Sequence, residues 1–208
     1  QATIDTAGFN STLSGVVSGN GAIDKINAGR LALAGDNSFD GQLNVQAGRV
    51  AINSGSSLGQ DNNQVVLSKD TALETAAADI TAKQRISISE KATIDTAGFN
   101  STLSGVVSGT GSLDKVGTGS LALNGVNSFV GELDVMAGSI AINSGSSLGA
   151  ASNSVNLATG TSLETLAALT AQQAINVTGD VSLNTSTFNS TLAGLISGTA
   201  NITKQGSG

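Results

Sequence analysis

The side chains of this sequence with the means to do chemistry are its recurring acids and lysines. Asp5 returns as Asp95, Asp24 as Asp114 and Glu74 as Glu164, while Lys25 returns as Lys115 and again as Lys204. Two carboxylates flanking a bond are the machinery of glycoside hydrolysis, so a β-helical polysaccharide-degrading enzyme is one class these pairs would serve. A catalytic site is a single constellation, however, whereas these acids recur with a repeat, and a third copy carries Asn184 in place of the first of them. Surface solvation and turn bonding account for them better. The lysines read in the same way, as charges that solvate an edge and block mispairing rather than as a binding row. With no His and no Cys, the Ser-His-Asp, Cys-His and His-metal sets cannot be assembled. Asp36-Asn37 and Asp61-Asn62-Asn63 are the segments nearest to a cation loop, but no Gly-Gly-x-Gly-x-Asp turn is spelled, and Asn and Asp in turns bond their own backbone. The expectation is a chain that is not an enzyme, with no catalytic, cofactor-binding or metal residue, and with its binding residues unknown.

The only aromatics are Phe9, Phe39, Phe99, Phe129 and Phe188, each beside Asn or Ser at an expected corner. They are read as rings that tuck inward and seal the interior, in preference to stacking platforms for sugars. Net charge is −6 and no stretch gathers Lys or Arg, so nucleic acid and anionic lipid are excluded as partners. No apolar run approaches the length of a membrane span, and direct membrane insertion is not expected. The absence of Cys suits a chain that stays unfolded while crossing a membrane. Gln1 follows neither an initiator Met nor a signal-peptide pattern and is read as other than the natural start.

The elements that must position these residues are short. Leu31-Ala32-Leu33, Leu43-Asn44-Val45 and Val50-Ala51-Ile52 alternate or cluster aliphatics over three to five residues, between Gly, Asn and Ser that accept left-handed corners. A core without Trp or Tyr suits a narrow tube lined by Leu, Ile, Val and Ala better than a thick two-layer domain. The stretch from Thr71 to Gln84 is rich in helix formers, but Leu73, Ile80, Ile86 and Ile88 hold no helical period, and strands joined by a turn are expected. Asn53 to Gly59 and its copy Asn143 to Gly149 read as a polar turn with stacked Asn and Ser.

Self-comparison orders the whole chain. Ala2 to Gly19 returns unchanged as Ala92 to Gly109, and a diverged third copy runs from Val181 to Gly198. The repeats are approximately 1–90, 91–179 and a partial 180–208, within a single continuous segment 1–208. Lys204 to Gly208 matches Lys115 to Gly119, so the sequence stops inside a repeat. The fold expected is all-β: a right-handed parallel β-helix, or β-solenoid, as a fragment of a longer solenoid, with recurrence along the sequence becoming vertical ladders of like side chains. Tandem immunoglobulin-like adhesin domains are the competing architecture, since about 90 residues is a natural unit for them.

The second copy spells Gly109-Thr110-Gly111-Ser112-Leu113-Asp114-Lys115, then Gly117-Thr118-Gly119-Ser120-Leu121-Ala122-Leu123-Asn124-Gly125, Asn127-Ser128-Phe129 and Val135-Met136-Ala137-Gly138. The first copy follows it from Gly19 to Gly48, departing at Asn27-Ala28. This pattern resembles the passenger-associated transport repeat of Gram-negative autotransporters. The resemblance implies a structural stalk of a secreted, cell-surface passenger of a Gram-negative bacterium, exported through a C-terminal outer-membrane barrel outside this sequence. It further implies support for adhesion or self-association in aggregation and biofilm, with a neighbouring cell's passenger or a host-surface glycan or protein as partner. It transfers no activity and no cofactor.

Overall fold

The computed structural model describes residues 1–208. Alternation of one inward and one outward residue sets the strands: in Gln42–Val45 and Thr71–Thr75 every second side chain is buried. No strand of this length stands alone, and each is paired in parallel with the strand one rung away. Arg30 lies opposite Arg49 and Val50 opposite Leu73, so a rung takes from 19 to 23 residues. The chain is a parallel β-solenoid. The stretch expected to form two strands does so, as Thr71–Thr75 and Ile80–Ala82, with Asp79 at φ 55° in the turn between them.

Three faces enclose the core. A ten-stranded sheet from Ser11–Leu13 to Ile196–Gly198 contributes one strand to every rung and forms the second face. Six strands from Ala2–Asp5 to Val107–Gly109 make the first face, and seven from Ile80–Ala82 to Ile202–Gln205 make the third. Beyond Val107–Gly109 the first face continues through residues 128–130 and the 3-10 turn Gly145–Leu148 to the two-stranded pair Thr170–Ala171 and Thr191–Leu192. Inward side chains form columns. On the second face one column runs Leu31, Val50, Leu73, Ile94, Lys115, Val135, Leu157, Val177, every member of it buried.

The long sequence repeat does not align with these columns. Ile23–Ile26 is the second strand of the first face, whereas its copy Ser112–Val116 is the sixth strand of the second face. The third copy, Ile202–Gln205, lies in the tenth rung on the third face. Each copy therefore stands four rungs and one face beyond its predecessor, and the ladders of like side chains join different repeat positions rather than one position in successive copies. The cause is arithmetic: about 90 residues divided among rungs of about 21 leaves a third of a turn over. What stacks vertically is chemical type, aliphatic on aliphatic, rather than one repeat position on itself.

Candidate functional site

Lys25 and Lys115 are not edge charges. Both are fully buried, on the inward register of their strands in line with Val45 and with Ile94 and Val135. Their aliphatic stems fill the core while the ammonium turns into a corner. Lys115 Nζ donates to the carbonyls of Val116 (3.0 Å), Gly117 (2.6 Å) and Ala137 (3.0 Å) and to Thr96 Oγ1 (3.0 Å), joining three consecutive rungs. Lys25 repeats this with Ile26 (3.1 Å), Asn27 and Ala47 (3.0 Å). A buried ammonium is tolerated only with such partners, and burial still pushes the Lys115 pKa down to about 8 and lowers that of Lys25. Lys204, on the last rung, is exposed and reaches only Gly206 (2.7 Å) and Gly208. At Gly48, with φ 71°, a Cβ would fall 2.4 Å from the Gly29 carbonyl and 3.0 Å from Lys25 Nζ, so this corner admits no side chain.

Buried amides do the same work where a strand is missing. Asn37 accepts from Val17 N (2.8 Å) and donates to Ser57 O (2.7 Å), and Asn127 does so with Val107 N and Ser147 O at the same distances. Asn63 and Asn153 each donate to two carbonyls, of Phe39 and Leu58 and of Phe129 and Leu148. Gln84 and Gln173 each bridge three carbonyls around the 3-10 turns Gly55–Leu58 and Gly145–Leu148. The expected polar turn at Asn53–Gly59 and Asn143–Gly149 is thus a 3-10 turn held from the adjoining rung. These amides are bound to backbone, and no group of three or more potential metal-ligating side chains converges anywhere in the chain.

The recurring acids fall into three roles. Asp5 and Asp95 accept from the amides of Ala7 (2.7 Å) and Ala97 (2.8 Å), and Asn184 accepts from Ser186 N (3.0 Å). An acceptor is all the turn requires, which is why Asn serves in the third copy. Asp24 and Asp114 are nearly buried rather than solvating the surface. The first accepts from Gln1 and Asn44, while Lys91 bonds the second at 2.9 Å and leaves its Oδ1 without a partner. Phe39 and Phe129 seal the interior as expected, but Phe9, Phe99 and Phe188 are exposed. They follow left-handed residues, Ala7-Gly8, Ala97-Gly98 and Ser186, which swing the chain past the corner.

The third pair, Glu74 and Glu164, lies on different faces, the first bonded to arginines that line one groove and the second itself lining another. The groove on the second face, about 560 Å³, is lined by Asn10, Arg30, Arg49 and Asp95. There Arg30 grips Glu74 through Nε and Nη2 at 2.8 to 3.1 Å, and Arg49 lies 3.6 Å from both Glu74 and Asp95. The Arg30 guanidinium holds the Glu74 carboxyl below its ordinary pKa. The groove on the third face, about 480 Å³, has Asn100, Ser120 and Ser139 at the matching positions and Glu164, the counterpart of Glu74, in its lining. No cation reaches Glu164.

Comparison with known proteins supplies the lineage. The family described as the passenger-associated-transport-repeat matches residues 23–52 and 113–142, the segments that carry Lys25 and Lys115. The Adhesin BmaC autotransporter of Brucella suis biovar 1 (strain 1330) is 39% identical over 87 residues. These are the repeats of an autotransporter passenger. The aligned region is 42% of this passenger chain and 2% of that relative. No solved structure matches the passenger. The two family matches begin on different faces of the solenoid, the first and the second, so the repeat encodes a corner-and-strand unit that is indifferent to the face on which it starts.

Proposed function

We propose that this surface passenger scaffold acts as a stalk, displayed outside the outer membrane of a Gram-negative bacterium through a barrel elsewhere in the parent protein, and that it supports adhesion or self-association without chemistry of its own. The three copies form one continuous body in this reading. The observation that carries it is the burial of Lys25 and Lys115 at the corners, where chemistry-bearing groups are spent on joining rungs. The kinship to a protein named as an adhesin supports the adhesive part. Outward Ser87, Ser108 and Ser128 stack on successive rungs of the first face and offer hydroxyls to a neighbouring molecule. The test is display of the chain on cells with these three serines changed to Asp. Reduced clumping or host-cell attachment is expected, and unchanged behaviour in both assays would overturn the assignment of adhesion to this face.

A further inference from the structure

The two grooves differ by a substitution the repeat itself has made. Glu74 and Glu164 occupy the same place in register, opposite Ala51 and Ala141. In the first groove the chain supplies its own ligand, the Arg30 guanidinium, to the carboxylate. In the second, Ser120 stands for Arg30 and Ser139 for Arg49, and Asn184 replaces Asp95. The Glu164 carboxylate is left half-buried, with neither an ion pair nor a side-chain hydrogen bond, at the wall of an open groove. With serines in place of the two arginines, Ala122 and Ala141 line the groove beside Glu164.

We propose that the groove around Glu164 is a binding site for an arginine side chain of a partner protein, received in the place that Arg30 holds on Glu74. The planar fork of a guanidinium matches a carboxylate through two parallel N–H···O bonds, as Arg30 shows. Ser120 and Ser139 leave hydroxyl oxygens to accept the remaining N–H groups. No Lys or Arg lines the groove to oppose an incoming cation. A lysine ammonium is a point charge without the fork and fits less well. The site goes beyond the stalk reading, since a passenger that adheres through other surfaces would carry it equally.

The test is an NMR titration of the full 208-residue chain with the peptide acetyl-Ser-Arg-Ser-amide, with citrulline and lysine in place of arginine as controls. Saturable shifts at the amides of Ser120, Ser139 and Glu164 are expected, weakened at least about tenfold by E164Q, by S120R, which restores an internal guanidinium, and by the citrulline peptide. The double variant R30S/R49S uncovers Glu74 and adds a second saturable set on the second face, taking the stoichiometry from one to two. Shifts that E164Q leaves unchanged, or no saturable shift at all, would overturn the proposal. Glu164 makes no internal bond, so E164Q keeps the test readable even if R30S/R49S lowers stability. Loss of clumping in the serine-to-Asp cells with intact arginine binding separates the two readings.

Discussion

Replacing Lys115 by Met keeps most of the aliphatic stem in the core and removes the ammonium. The Gly117 and Ala137 carbonyls then lose their donor, whereas Val116 O still accepts from Thr96 N and Thr96 Oγ1 at 3.1 Å each. Each unsatisfied group costs about 1 to 3 kcal/mol, so the two together come to roughly 4 kcal/mol. Against this stands relief from desolvating a charge: a pKa near 8 rather than 10.5 corresponds to about 3 kcal/mol. The net expectation is a loss of about 1 kcal/mol. With no Trp or Tyr in the chain, urea unfolding is followed by far-UV circular dichroism, and amide exchange at Gly117 and Ala137 separates local fraying from global unfolding. The parent protein carries a second signature. Between pH 8 and 10.5 the folded state sheds the Lys115 proton before the unfolded state does, so the unfolded state binds more protons and stability rises with pH. K115M lacks that rise. K204M, at the exposed end, stays within about 0.5 kcal/mol of the parent. A K115M protein as stable as the parent would refute the corner-staple argument.

Acid acts on the other sign. Glu74 has its pKa lowered by Arg30, so its contribution is present above its unfolded value and is lost as pH falls through the folded one. E74Q is expected to flatten that acid limb and to cost about 1 kcal/mol at pH 7, read from thermal melts across pH 3 to 7. Asn127→Leu orphans Val107 N and Ser147 O and is expected to cost about 2 to 4 kcal/mol in urea unfolding. Asp95→Asn preserves the acceptor for Ala97 N, as Asn184 does for Ser186, and its melt shifts less than that of Asp95→Ala, by about 1 kcal/mol.

The strands and their corners were legible in the sequence because both are local: alternation over four residues and a Gly, Asn or Ser that accepts a left-handed turn. The inward lysines were not, because a charge among polar residues reads as exposed unless neighbouring rungs are known to bring carbonyls to it. One local signal was available. Lys115 shares the parity of Leu113, and Lys25 that of Ile23, so a strand with one face buried must turn both members inward. The same parity separates Phe39, in phase with buried Asn37, from Phe9, which follows a left-handed pair that breaks the phase. The Arg30–Glu74 pair was beyond reach of spacing alone. Its 44 residues are two rungs, of 19 and 23, plus the two-residue step along the strand from Ala72, opposite Arg49, to Glu74.

The third-of-a-turn offset decides how such a stalk meets its surroundings. The corner unit is self-contained: Lys115 bonds the carbonyls of its own turn and the corners on either side, and nothing in that set depends on the face it occupies. The fold therefore tolerates any placement, and the summed rung lengths set the rotation. A motif returns to its own face only after three copies and about thirteen rungs, roughly 62 Å at 4.8 Å per rung. A rod of identical copies would show every motif on all three sides and have no preferred one. Substitutions between copies break that equivalence, among them the change from Arg30 and Arg49 to Ser120 and Ser139, which leaves Glu164 without the cations that pair Glu74. Divergence among copies, rather than the repeat itself, is thus what gives one side of the passenger a recognition chemistry that the others lack.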